Sequence, residues 1–183
     1  MAKLAKFILL ILGWKTKGSF PNLNKSIVIF APHTSYWDSF YGKLFFMQTN
    51  VNHRFITKSD YFKFPQNILL NLYGSIPVSH NGKYVTEIAQ LIESHNKIHI
   101  VISPEGQLAK TNRWKKGFYY MANTANVPLV VGYIDYQKKE VGIKGIINDV
   151  DNIETTFSKI NEMYKDVEAK YPKEFVLDTQ YSA

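Results

Sequence analysis

The 183-residue chain contains no cysteine. This excludes disulfide bonds, a thiolate nucleophile and Cys-ligated zinc or iron–sulfur centres. It also has no acidic residue before Asp38, while Lys3, Lys6, Lys15, Lys17 and Lys25 lie in the same stretch. No apolar run is long enough to cross a bilayer; the longest near the start, Phe7 to Trp14, is far too short. That length would suit a signal peptide, but Lys15-Thr16-Lys17 follows it in place of a small-x-small cleavage site. The chain has no internal repeat, low-complexity segment, linker or Gly-x-Ser-x-Gly nucleophile elbow. His53, His95 and His99 lack metal-ligand spacing and read as ordinary surface or core histidines, so no metal site is expected.

What is present is an ordinary globular composition, 45% hydrophobic and 20% charged, with a net charge of +7 that calls for an anionic partner. The basic, Trp-ended apolar segment at the start reads as an amphipathic helix within residues 1–20, lying in a membrane interface with its lysines at anionic headgroups. A helix packed on the domain with exposed lysines is the alternative. Nucleic acid is not the expected partner, because the lysines flank a continuous apolar run without interleaved aromatics.

Residues 21–183 are expected to form one domain. Ser26 to Phe30, Ile98 to Ile102 and Val127 to Gly132 read as buried strands, rich in β-branched residues. Arg54 to Thr57 and Glu140 to Ile147 read as further strands, and Ile76 to Ser79 as an edge strand, because Pro77 cannot donate to a central ladder. Helical periodicity runs over Asp38 to Gln48, within Tyr61 to Tyr73, from Val85 to Ile92, over Phe118 to Thr124, and from Ile153 to Val167 with Asp149 or Asp151 as cap. Residues from Tyr171 onward lack periodicity and read as a packed or frayed tail. The alternation predicts an α/β domain with a largely parallel central sheet flanked by helices, preceded by the amphipathic helix.

Two turns carry chemistry. Pro32 ends the first strand, and His33 follows in the loop Ala31-Pro32-His33-Thr34-Ser35-Tyr36-Trp37-Asp38. In an open α/β sheet, ligands bind beyond the carboxyl ends of the strands. There an aspartate five positions on can orient the imidazole, and an oriented histidine is a natural general base. Asp38 equally suits the start of a helix, where the dipole favours negative charge. The second turn is Ser103-Pro104-Glu105-Gly106, expected on the same sheet edge. A basic stretch with Lys110, Arg113, Lys115 and Lys116 follows it. Glu105 is either a substrate contact or a structural acceptor of backbone N–H groups.

The order and identity of these turns resemble the lysophosphatidate acyltransferase-like (glycerolipid acyltransferase) family. Its His-x4-Asp block matches His33 to Asp38, with Pro32 and Ser35. Its Gly-x-x-Phe/Ile/Pro-x-x-Arg block corresponds to Gly74 to His80. Pro-Glu-Gly-Thr-Arg corresponds to Pro104-Glu105-Gly106-Gln107-Leu108, and Val-Pro-x-x-Pro to Val127-Pro128 without the last proline. The resemblance implies acyl transfer from acyl-coenzyme A or acyl carrier protein to a lipid acceptor such as 1-acylglycerol-3-phosphate. It implies no cofactor or covalent intermediate, and a peripheral membrane location on the cytoplasmic face. His33 would be the base and Asp38 its partner. Ser35, Lys58, Gly74, His80, Glu105, Gly106, Gln107, Lys110, Lys115 and Lys116 would bind substrate.

The family's arginines in the second and third blocks are His80 and Leu108 here. Either lysines replace them at an acceptor phosphate, or the acceptor is not a phosphomonoester and is an acyl-amino acid or other hydroxylated lipid. A non-catalytic lipid-binding relative is a further reading, and a thioester hydrolase using His33 and Asp38 another. Acyl length and oligomeric state have no linear signature.

Overall fold

The computed structural model describes residues 1–79 and 82–181. Among these, seven strands form one sheet: β1 (Lys15–Lys17), β2 (Lys25–Ala31), β3 (His53–Lys58), β4 (Ser75–Val78), β5 (Ile98–Ile102), β6 (Leu129–Asp135) and β7 (Glu140–Ile147). Their order is β1-β7-β6-β2-β5-β3-β4, and every pairing is parallel except β6 with β7. β2, β5 and β6 sit inside the sheet, which explains their unbroken apolar runs. The proline-bearing β4 is an edge strand, as its sequence requires.

Helices cover both faces. On one lie α1 (Ala2–Ile11) and α2 (Tyr36–Thr49), whose Ala5, Leu9, Leu44, Phe45 and Phe46 pack against Val28, Phe30, Val130 and Val141. α3 (Gln66–Tyr73) joins them: the Tyr73 hydroxyl donates to the Ser39 carbonyl and Lys43 Nζ donates to the Tyr73 carbonyl at 2.7 Å. The opposite face carries α4 (Tyr84–Ser94), α5 (Gly117–Ala125) and α6 (Ile153–Tyr164). There Ile88, Ile92, Phe118, Met121, Phe157, Ile160 and Tyr164 pack on Ile27, Ile29, Ile100 and Val131.

The N-terminal segment differs from its sequence reading. The helix stops at Ile11, and Lys15–Lys17 pairs in parallel register with Glu140–Gly142, so the boundary expected at residue 20 falls beyond a strand of the sheet. Strand 15–17 escaped notice because its three polar residues are exposed and carry no alternation. α1 packs on the domain through Ala5 and Leu9, while Leu4, Phe7, Leu10 and Ile11 stay exposed.

At α6 the cap is Asn152, not Asp149 or Asp151; its Oδ1 accepts from Thr155 N at 2.9 Å. The tail is packed. Buried Asp178 accepts from Trp114 N at 2.7 Å, Trp114 Nε1 donates to the Val176 carbonyl at 3.0 Å, and Thr179 N donates to the Asn112 carbonyl at 3.1 Å. Together with Lys110 N on Glu174 at 2.9 Å, these bonds strap the 107–116 loop to the body of the domain.

Candidate active site

β2 delivers His33 to the carboxyl edge of the sheet, beside the turn that follows its parallel neighbour β5. The two turns are joined directly: His33 N donates to Glu105 Oε1 at 2.7 Å, and Ser103 Oγ donates to Glu105 Oε2 at 2.7 Å. Glu105 is thus a buried carboxylate that accepts from donors of both turns. Burial pushes its pKa up, opposed by the His33 charge and by these hydrogen bonds.

Asp38 is both helix cap and histidine partner. Ser35 is the N-cap of α2 and forms a capping box with Asp38. Asp38 Oδ2 accepts from Thr34 N at 2.6 Å and Ser35 N at 2.7 Å, and lies 3.7 Å from His33 Nδ1. Its other oxygen accepts from the Tyr136 hydroxyl at 2.5 Å. The carboxylate is nearly fully buried, whereas the imidazole is 24% exposed and open to an incoming group. A histidine so placed, with Nδ1 toward a fixed carboxylate, can take a proton at Nε2.

Tyr136 is the residue the sequence reading missed. It follows β6, the other parallel neighbour of β2, so strand order alone brings it to this edge. Burial, and then the Asp38 carboxylate, raise its pKa well above the ordinary tyrosine value. It therefore remains a donor at any working pH. Lys170 lies beside it, with Nζ 5.2 Å from the Trp37 ring and 5.8 Å from that of Tyr136, while Tyr171 N donates to Thr34 Oγ1 at 3.3 Å.

The other sequence-selected residues divide. Gly106 holds φ +68°, and a Cβ there would meet Lys115 Cγ at 2.9 Å, so the lysine stem lies over the Glu105 turn. Lys58 stands at the carboxyl end of β3, on the same edge. Lys116 Nζ sits 4.9 Å from the Tyr181 ring, while Gln107 Nε2 donates to the Ala109 carbonyl at 3.3 Å and Lys110 is tied through its backbone to Glu174.

Gly74 is displaced from the expected group. It is the left-handed C-cap of α3 and precedes β4, level with Arg54 through the Phe55–Ser75 register, far down the strands from His33. The block order in sequence gives no depth along a strand, which is why this was not foreseen. His80 lies outside the described residues. A groove of about 470 Å³ beside Leu23, Phe45 and Lys97 opens near the amino ends of β2 and β5 and contains none of these residues. Among the described residues, no group of three or more His, Asp or Glu side chains is arranged to hold a metal ion.

Fold and site together define an α/β enzyme with a histidine–aspartate pair at the carboxyl edge of a central parallel strand. Residues 15–134 match the family model described as Acyltransferase, and the chain belongs to that family: it is an acyltransferase. A similar solved structure is the crystal structure of the 1-acyl-sn-glycerophosphate (LPA) acyltransferase, PlsC, from Thermotoga maritima. The TM-score is 0.60, over 91% of this chain and 74% of that one, at 15% sequence identity. At that identity the likeness speaks for the fold, which is PlsC-like. No curated protein matches the chain.

Proposed function

We propose that the protein transfers a fatty acyl group from acyl-coenzyme A or acyl carrier protein to the hydroxyl of a lysophospholipid, such as 1-acylglycerol-3-phosphate. It would act from the cytoplasmic face of a membrane to which it binds peripherally. The observation that carries this reading is the His33–Asp38–Tyr136 chain at the mouth of an acyltransferase fold. His33 Nε2 takes the acceptor's hydroxyl proton as its oxygen attacks the thioester carbon. The tetrahedral oxyanion collapses with loss of the thiolate, which takes the proton from the imidazolium. Each proton and electron pair is accounted for without a covalent enzyme intermediate, cofactor or metal. Asp38, held by two backbone N–H groups and Tyr136, keeps the imidazole facing the acceptor and stabilises its protonated form.

Lys115, whose stem covers Gly106 next to Glu105, is the cation best placed to take the acceptor phosphate in place of the family's arginines. Lys58 on the same edge adds positive charge. The exposed apolar side of α1 supports the membrane location. No helix among the described residues is long and apolar enough to cross a bilayer.

Purified protein is to be assayed with labelled acyl-coenzyme A and acyl carrier protein against lysophosphatidate, other lysophospholipids and acyl-amino acids. Transfer to a lysophospholipid is expected, lowered about 10³-fold or more in His33→Ala with the circular dichroism unchanged. Full activity in His33→Ala overturns the mechanism, and transfer only to an acyl-amino acid overturns the acceptor assignment.

A further inference from the structure

α3 is an anomaly of packing. None of its residues is fully buried, although five of its eight are aliphatic or aromatic. Leu69 and Leu72 are 70% and 78% exposed, Ile68 is also exposed, and Phe64 just before the helix is 81% exposed. Phe64, Ile68 and Leu72 recur every four residues and Leu69 lies beside Ile68, which makes one stripe. Exposed Tyr61 precedes them.

Charge says what covers this stripe. Between Asp60 and Glu87 the sequence has no acidic residue, and Arg54, Lys58 and Lys63 lie close by in the chain. Aliphatic and aromatic side chains flanked by three cations against the single carboxylate of Asp60 are the composition of an interfacial element on an anionic bilayer. Position agrees. α1, α2 and α3 form one helical layer with α2 in the middle: α1 meets it through its buried Ala5 and Leu9, backed by Trp14 of the following turn stacked on Tyr41, and α3 through Tyr73 on Ser39. The exposed apolar side chains of α1, of α3 and of the start of α2, namely Tyr36, Trp37 and Phe40, therefore belong to the same layer. The start of α2 is where His33 and Asp38 are held.

We infer that residues 61–72 are a second membrane-inserting element. With α1 they make a two-footed contact with an anionic bilayer that sets the mouth of the His33 site over the lipid surface. This rests on the membrane reading given above. It adds that α1 alone does not dock the enzyme.

The absence of cysteine supplies a clean test. Leu69→Cys, Leu10→Cys and, on the opposite face, Ser158→Cys are each labelled with a polarity-sensitive maleimide dye. Each is then mixed with phosphatidylglycerol-containing vesicles. Blue-shifted emission is expected at positions 69 and 10 and not at 158. In the unlabelled chain, Leu69→Ser combined with Leu72→Ser is expected to weaken vesicle binding about tenfold or more, with turnover of short-chain, water-soluble substrates unchanged. A shift at 10 without one at 69 overturns the second foot and leaves the membrane reading standing. No shift at either position overturns both. A shift at 69 produced by acyl carrier protein, or by self-association without vesicles, assigns the stripe to a protein partner and overturns the proposal.

Discussion

Tyr136 donates to one oxygen of Asp38 while two backbone N–H groups occupy the other, so the carboxylate has little freedom to turn away from His33. Tyr136→Phe removes that restraint and leaves a buried acceptor short of a partner. We expect kcat to fall about tenfold, equivalent to ~1.4 kcal/mol of transition-state stabilisation, with KM for donor and acceptor little changed. Steady-state kinetics on the two proteins check this; a rise in KM alone would assign Tyr136 to substrate binding. The histidine and aspartate were legible in the sequence because strand, proline and helix start lie within a dozen residues. Tyr136 was not, because its partner is 98 residues away and only the order of the strands joins them.

The same contrast holds for whole elements. β2, β5 and β6 announced themselves because strands buried on both faces are continuous apolar runs, and Pro77 marked β4 as an edge. β1 was silent, since three exposed polar residues with no alternation join a sheet mainly through their backbone. Gly74 was assigned to the site from block order, and register puts it well down the sheet.

The tail could be read as packed or frayed, and buried Asp178 decides for packing. Asp178→Ala leaves Trp114 N without its acceptor and unties the 107–116 loop. It is expected to cost 1–3 kcal/mol, about the penalty of orphaning a buried donor. Amide exchange should quicken in residues 107–116 more than in β2. Equal acceleration in both would show that the tail serves the whole core instead.

At the scale of the molecule, the sheet carries two histidines, the buried His99 and the half-buried His53, whose lowered pKa values couple stability to acid. His53 and His99 face each other across β3 and β5, and burial lowers both pKa values to about 4. Folded, they bind fewer protons than unfolded near pH 5. Stability is therefore complete above the unfolded value near 6.5, is lost as pH falls toward 4, and levels off below. For fully buried His99 the loss is of order 3 kcal/mol. Glu105 runs the other way: its raised pKa favours the fold at low pH, and that contribution is lost as pH rises through its folded value. Urea midpoints should drop between pH 6.5 and 4, and His99→Gln should shrink the drop by about half. An unchanged slope would place the acid sensitivity elsewhere.

The strap of residues 174–179 also has a meaning in time. The loop it holds, with Lys115 over the Glu105 turn, is made some 60 residues earlier in synthesis, and α1 earlier still. Until residues 174–179 emerge from the ribosome that loop lacks the bonds that strap it down, whereas the apolar side of α1 is already made. On the membrane reading proposed above, a nascent chain would thus be moored before it is armed.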